Sequence, residues 1–484
     1  MRAAHREHPM PQPRFFMIPD IPIRQKGGLR MPARSSPDSE AMLTGSVPRA
    51  VLRLALPGLA AMLFSSFCTL LDVLLLARHS PQAAAAAALC FPLLTAQQAV
   101  GFTLGMGAGS HISRAIGSGD LQSARHAAAT ALFLSLLLGT LLCTGLFALA
   151  PLLLWLGADA DTLPAALPYA RLLLLASPFS CGSLVMGSLL RAQGRAVANL
   201  LAYAVSGMLG AALDLWLIPG LGAQGAGVSV LSREAAAFLL FAALTYIRPG
   251  SVRPMPRDIT LQPWVFAAIL RSGLPTLLRQ LCASLAAVLT SRACRAFGPD
   301  ALAGVGLAMR AQTLVFSAVI GFGQGFSPLC GVCFGAGRMD RVREAYRFCM
   351  RVLIAALSVA GAAALLFAPA FLAFFRPEGP TAAIASAALR AQGLAFAFQG
   401  AVVLMNMLAQ SMGCMVRASL TAVSRQGIFL LPLLLTAPRL FGLYGLILCP
   451  AAADVLSCLF CYAVTRPLPA RPGGVDKAPA PGLQ

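Results

Sequence analysis

The sequence predicts an all-α polytopic membrane protein with twelve transmembrane helices arranged as two six-helix repeats. Three observations predict this fold: long apolar segments, basic residues concentrated on one side of them, and motifs that recur at a constant offset. Of the 484 residues, 58% are hydrophobic and 11% are charged, and the mean hydropathy is +0.76. Soluble domains carry about 25% charged residues, so a deficit along the whole chain is typical of a membrane protein.

Twelve apolar segments lie between the two ends of the chain. Each is near or above the ~20 residues that cross a bilayer as a helix, and β-strands are excluded because open sheet edges cannot face lipid. The predicted segments are 50–77, 83–113, 126–155, 163–190, 195–217, 222–247, 263–294, 300–329, 345–374, 381–411, 416–440 and 442–465.

The segments divide the chain into two lobes with polar ends. Residues 50–247 form the predicted N-lobe and residues 263–465 the C-lobe, joined by a cytoplasmic linker at 248–262. The stretches 1–49 and 466–484 are rich in Pro, Arg or Gly without apolar periodicity, so we expect both to be disordered cytoplasmic tails.

Basic residues predict the orientation of the chain. With both termini in the cytoplasm, 24 Lys and Arg residues fall on the cytoplasmic side and five in the outer loops. This bias follows the positive-inside rule and predicts a multi-pass protein of the bacterial cytoplasmic (inner) membrane. It also explains the net charge of +20 without nucleic-acid binding, because no soluble basic domain is present.

The sequence repeats itself at an offset of 218–220 residues. Each repeat encloses six helices, so the two lobes share one topology and are related by an axis along the membrane normal. Two such lobes enclose a central cavity and predict a secondary transporter that works by alternating access. The matching motifs are LALPGL (54–59) with SGLPTL (272–277), and GSGDLQSARHA (117–127) with GAGRMDRVREA (335–345).

Acidic residues inside the apolar segments identify a candidate ion path, because intramembrane carboxylates normally face a cavity. Asp72, Asp214 and Glu234 lie in the N-lobe, so we place ion coupling there, with Ser232 as a candidate hydroxyl partner. A carboxyl group in an apolar cavity favours its protonated form and can carry H⁺. Ionised Asp72 and Asp214 could instead ligate Na⁺; no resident metal or other cofactor is expected.

Substrate contacts are predicted at three further positions. Asp454 could meet a cationic substrate in the C-lobe, or it could pair with Arg310 or Arg425. Gln324 lies between two glycines and could bind substrate or satisfy backbone groups freed by a kink. Gln98 is the third candidate; interhelical hydrogen bonding is the alternative for it and for the glutamine before it.

Several stretches together resemble the MATE (multidrug and toxic compound extrusion) family, over about residues 44–465. The resemblance implies a cation-coupled antiporter that exports amphipathic, cationic organic compounds, with Asp72 and Asp214 as its coupling acids. Many relatives have Asn where this chain has Gly210, which favours H⁺ over Na⁺. The stretches are LTGSVPRAVLRLALPGL, LLDVLLLAR, GMGAGSHISRAIGSGD, LLRAQGR, LDLWLIPGLGAQGAG, ALAGVGLAMRAQ, GFGQGFSPLCGVCFGAGR and PAAAD.

Two other functions stay open on the sequence. A flippase for lipid-linked precursors, from the same superfamily, would use cavity arginines for pyrophosphate, and Arg271, Arg279 and Arg310 are the candidates. A membrane enzyme is disfavoured because the chain has no HExxH, GxSxG or clustered histidines. The expected partners are small organic cations and the lipid bilayer, and the expected state is a monomer.

Overall fold

A computed structural model describes residues 42–159, 161–247, 250, 252–373 and 379–466. Every regular element among these residues is a helix, as the sequence predicts. In the N-lobe the helices are α1 (Val47–His79), α2 (Pro81–Ser118), α3 (Leu121–Cys143), α4 (Leu149–Trp155), α5 (Leu163–Ala192) and α6 (Ala196–Ile247). In the C-lobe they are α7 (Pro263–Arg295), α8 (Pro299–Gly335), α9 (Met339–Ala373), α10 (Gly379–Gly393), α11 (Phe396–Ser411), α12 (Met415–Val423) and α13 (Leu431–Thr465).

The helix count agrees with the prediction once the broken helices are recognised. Nine helical spans in the described chain are long and apolar enough to cross a membrane, and α10 with α11, bent by 52°, makes a tenth. Helix α6 has 52 residues, about 78 Å if straight, against a hydrocarbon core of about 30 Å. It breaks at Gly222, and α13 breaks at Gly442. Taking each side of these breaks as one crossing accounts for all twelve predicted segments.

The breaks reflect the backbone freedom of glycine. Gly222 has φ of +55° and Gly442 has φ of +57°, a region that residues with a Cβ rarely adopt. Beyond Gly222 the chain folds back, so that the Ser229 hydroxyl donates to the carbonyl of Gly210 at 2.9 Å. The two glycines are 220 residues apart, so this hairpin occurs at the same place in both lobes and confirms the repeat.

The described part of the chain begins at Met42, within the predicted N-terminal tail of residues 1–49. Met42 is buried, and the Arg341 guanidinium donates to the carbonyls of Met42 at 3.1 Å and Gly45 at 2.6 Å. These long-range bonds could not be anticipated from a stretch that lacks apolar periodicity. The rest of the predicted tails, 1–41 and 467–484, lies outside the described residues.

The described part of the 248–262 linker packs on the N-lobe. Val252 is buried, the Tyr246 hydroxyl donates to the carbonyl of Pro254 at 2.6 Å, and a ring nitrogen of His126 lies 2.9 Å from the carbonyl of Asp258. The linker therefore follows the lobe surface instead of crossing freely between the lobes.

The lobes meet on the side that the Lys and Arg count assigns to the cytoplasm. Gly117 near the end of α2 lies against the backbone of Val332 in α8. The Arg114 guanidinium donates to the carbonyls of Gln410 and Ser411 at 3.2 Å and caps the end of α11. A buried apolar core also runs through both lobes. The conformation is therefore closed on the side that this count assigns to the cytoplasm.

We expect Gly117→Ala to weaken this closure. The added Cβ would collide with the carbonyl oxygen of Val332, so the state that is open on this side should gain population. Hydrogen exchange of the full chain in nanodiscs should then rise several-fold in the facing ends of α2 and α8. Alanine forms helices better than glycine by about 1 kcal/mol, so a rise reports lost contact between lobes rather than a weaker helix.

Gly306→Ala is the matched control, because no atom lies within 4 Å of a Cβ added there. Exchange in this variant should stay at the wild-type level at the ends of α2 and α8. Unchanged exchange in Gly117→Ala would show that the contact does not hold the lobes closed.

Candidate functional site

A cavity of about 1770 Å³ separates the two lobes. Ordinary small-molecule sites span roughly 300–1,000 Å³, so this one has room for a large ligand. It extends from Gln324 and Gln410, close to where the lobes meet, to Arg78 near the last residue of α1. Both lobes contribute to the wall, as the two-lobe prediction requires.

The N-lobe wall carries an ion pair that joins α1 to α6. The Arg233 guanidinium donates to Oδ2 of Asp72 at 2.9 Å, and the two side chains are 17% and 16% exposed. Both residues line the cavity. The acid that interrupts the leucines of α1 thus faces protein and the cavity, with an arginine as its counter-charge.

Asp214 lies behind this pair. It is 1% exposed, and its carboxyl group interacts with the Asp72 carboxyl and the Ser229 hydroxyl. Oδ1 of Asp72 and Oδ2 of Asp214 are both buried without a hydrogen-bond partner among the described residues. Two adjacent carboxyl groups with free buried oxygens can share a proton, because buried like charges repel.

Glu234 adds a third acid to the cluster. Its Oε1 lies 3.8 Å from Nε of Arg233, its carboxyl group interacts with Ser180, and it lines the cavity. One guanidinium therefore faces three carboxyl groups. We refer to Asp72, Asp214, Arg233 and Glu234 as the N-lobe acid cluster; such a cluster can bind and release a proton.

Packing explains the glycine at position 210. A Cβ added to Gly210 would lie 2.8–3.3 Å from the Cδ, Cβ and Cγ atoms of Arg233. The stem of Arg233 therefore occupies the space that an asparagine side chain would need. Gly210 and Arg233 are complementary, so a fixed guanidinium replaces a side-chain oxygen next to Asp214.

Sequence reasoning did not single out Arg233 and Ser229 as members of this site. The hydroxyl beside Asp214 is that of Ser229, whereas Ser232 is not among the described residues that line the cavity. The signal for both was available, because Ser229 and Arg233 are four residues apart and share one face of a helix. An arginine next to an intramembrane glutamate was an equally direct clue.

In the C-lobe, Asp454 is paired with Arg425, one of the two arginines considered from the sequence. Nε and Nη2 of Arg425 both donate to the carboxylate of Asp454, which is 2% exposed. The guanidinium also lies 5.7 Å from the centre of the Phe316 ring. Arg425 belongs to a π-helical stretch, Ser424–Leu430, and π-bulges are frequent at functional sites. Arg425 lines the cavity, while Asp454 lies behind it.

The glutamines have separate positions. Gln97 is buried and donates to the carbonyl of Leu173 and the hydroxyl of Ser177, both at 2.8 Å, so it joins α2 to α5. Gln98 is exposed to the cavity. Gln324 also lines it, and its buried Oε1 has no partner among the described residues. Both candidates are therefore placed to contact a ligand.

Of the three arginines considered for pyrophosphate, Arg279 and Arg310 line the cavity, whereas Arg271 is not among its lining residues. In total, five arginines and two acids of the described chain form the cavity wall. Both acids, Asp72 and Glu234, belong to the N-lobe. The electrostatic character of the cavity is therefore basic, most of all on the C-lobe side.

Comparison with known proteins gives a consistent result. A family model described as MatE matches residues 57–216 and 275–435. The chain is 21% identical over 436 residues to an FAD transporter of Shewanella oneidensis, covering 89% of this chain and 96% of that protein. It is also 21% identical over 378 residues to a multidrug export protein MepA of Staphylococcus saprophyticus, covering 77% and 83% of the two chains.

Solved structures share the fold. One is described as the outward-facing conformation of a multidrug resistance MATE family transporter of the MOP superfamily, with a TM-score of 0.85, 24% identity, and 90% and 98% of the two chains covered. Another, a MOP superfamily transporter from Pyrococcus furiosus, is described as having a binding pocket of reverse polarity, with a TM-score of 0.84, 23% identity and the same coverage.

Proposed function

Because this chain belongs to the MATE family of membrane transporters, we propose that it is an H⁺-coupled antiporter that exports amphipathic organic compounds by alternating access. The observation that carries the proposal is the N-lobe acid cluster beside a large central cavity. H⁺ and substrate would favour opposite-facing states of the lobes, so that a proton gradient drives export. The role is transport, with no chemical conversion of the substrate.

Arg233 supports H⁺ over Na⁺ as the coupling ion. Na⁺ prefers a cage of oxygen ligands, and Gly210 lacks the side-chain oxygen that the family resemblance implies at this position. The stem of Arg233 fills the space beside Gly210, and its guanidinium brings a positive charge to Asp72. A second fixed cation would be repelled there, whereas a proton can bind Asp214 as a neutral carboxylic acid.

The predicted preference for cationic substrates gains no support from the geometry. Asp454, the acid proposed to meet a cation in the C-lobe, is already paired with Arg425. Asp72 is likewise paired with Arg233. One relative is named as an FAD transporter, and FAD contains a pyrophosphate. The charge of the substrate that the cavity favours is therefore set by the charged cavity residues that have no partner within the described chain.

We further propose a monomer in the cytoplasmic (inner) membrane with both termini inside. The 24-to-5 distribution of basic residues supports this orientation. The cavity lies within one chain and receives residues from both of its lobes, so the site is complete without a second copy.

The test is transport by the purified protein in liposomes, with fluorescent compounds of each charge class: ethidium, riboflavin and flavin mononucleotide. We expect a pH gradient to drive at least one of them several-fold above empty liposomes, and an equal Na⁺ gradient to drive none. Movement under a Na⁺ gradient alone would overturn the H⁺ assignment. Movement of none of these compounds under either gradient would count against the antiporter itself.

A further inference from the structure

Two arginines of the C-lobe face the cavity without an opposing charge among the described residues. Arg279 in α7 and Arg310 in α8 line it, and neither has an ion-pair or hydrogen-bond partner within the described part of the chain. A charged side chain inside the membrane is costly and normally pairs with another group or marks a substrate pathway. Two guanidinium groups in one cavity therefore call for an external partner.

Two other arginines that line the cavity are each neutralised by an acid of this chain. Arg233 is paired with Asp72, and Arg425 is held by both oxygens of Asp454. No such acid stands at Arg279 or Arg310 among the described residues. The positions of the N-lobe repeat that are equivalent to Arg279 and Arg310 hold the uncharged residues Ala61 and Pro92. These two positive charges therefore occur in the C-lobe alone.

The surroundings suit a ligand that is partly aromatic and partly anionic. Arg425 already stacks on Phe316, whose ring lines the cavity beside the polar residues Gln280, Thr313 and Gln426. Hydroxyl and amide groups supply further donors to phosphate oxygens, and the rings supply apolar area. A phosphate monoester carries about −1.5 to −2 charges near neutral pH, the sign of charge that an unpaired guanidinium group attracts.

We propose that the C-lobe half of the cavity binds the phosphate group of an amphipathic organic phosphate through Arg279 and Arg310. The inference rests on the proposed function, because it names the substrate class of that transporter's cavity. Arginine suits this role because its fork of donors binds phosphate oxygens in pairs. A free organic phosphate and a phosphate-bearing lipid share this chemistry, and the experiment separates them.

The test is binding to the full chain in nanodiscs made of uncharged lipid, with no ion gradient. Flavin mononucleotide and riboflavin are the probes, because they differ by one phosphate group and both are fluorescent. We expect flavin mononucleotide to bind at least tenfold more tightly, the size of one or two charge-assisted hydrogen bonds. The difference should shrink as salt is raised, since ions screen the attraction.

Arg279→Gln and Arg310→Gln should each weaken flavin mononucleotide binding about tenfold and leave riboflavin binding unchanged. Arg271→Gln is the matched control, because Arg271 lies on the same helix as Arg279 but does not line the cavity. Riboflavin serves as the check on folding in each variant, since a misfolded cavity would lose both ligands.

A short-chain fluorescent phosphatidic acid, added as competitor and followed for translocation in liposomes, identifies the source of the phosphate. Competition with translocation supports a lipid phosphate, and competition without translocation supports a free one. Equal affinity for the two flavins, or tighter ethidium binding in Arg279→Gln with no effect on flavins, would overturn the phosphate site. Export of ethidium under a pH gradient would still support the antiporter if the phosphate site were overturned. The two proposals can therefore be rejected independently.

Discussion

Asp214→Asn is expected to lower the rate of transport driven by a pH gradient at least tenfold relative to the wild-type chain. Asp214 is almost fully buried beside Asp72, and it holds an oxygen without a partner where a proton can reside. Asparagine keeps the shape of the side chain but cannot take up or release a proton. The variant should still bind whichever compound the wild type transports, because Asp214 is not among the cavity-lining residues. Loss of uphill export with retained binding is the measurement that identifies a coupling residue.

The matched control is Asp161→Asn, which removes an acid that is exposed in the loop before α5. This variant should transport at the wild-type rate. Undiminished pH-driven export in Asp214→Asn would remove the residue from the coupling path. Export that falls in both variants would indicate a general effect of lost negative charge.

Arg233→Gln is expected to lower stability more than the loss of an ordinary surface charge. The change leaves Asp72 and Glu234 without their shared counter-charge in a largely buried place. Breaking a buried ion pair from one side typically costs about 3–5 kcal/mol, whereas an exposed pair contributes about 0–1 kcal/mol. We therefore expect the thermal unfolding midpoint of Arg233→Gln in detergent to be lower than that of the wild-type chain. Arg292→Gln is the control, because Arg292 is exposed near the end of α7, and it should leave the midpoint unchanged.

A double-mutant cycle isolates the pair. Asp72→Asn alone should also destabilise the protein, because it leaves the guanidinium unpaired. The double variant should recover part of the loss, since both charges of the pair are then gone while Glu234 still lacks its counter-charge. The two single effects should therefore be far from additive. Additive losses would mean that Arg233 and Asp72 act independently, and the guanidinium would then not be the counter-charge that stabilises Asp72.

Much of the architecture was predictable because a bilayer allows few structures. Lipid forces each apolar segment to satisfy its own backbone groups as a helix, so length and hydropathy were sufficient to find all twelve crossings. The repeat was equally visible, because the turns at Gly222 and Gly442 need a residue without a Cβ, and glycine therefore recurs at a fixed spacing.

The candidate site was predictable in part. Asp72, Asp214 and Glu234 were expected together in one lobe, and the structure places them around one guanidinium. The role of Arg233 was missed, because its partner Asp72 is 161 residues away in the chain. Gly210 looked like a lost ligand, although the stem of Arg233 fills that space.

The sequence by itself determined the fold class, the twelve crossings, the two-lobe repeat and the residue types available for ion coupling. Only the tertiary structure decided which charges are neutralised within the protein and which face the cavity. Asp454 pairs with Arg425 and is not left unpaired to bind a cation. Arg279 and Arg310 line the cavity and have no acidic partner among the described residues. The physical reason is that the hydropathy of a segment depends on that segment alone. Whether a charge is neutralised depends on the side chains that other helices place within a few ångströms of it.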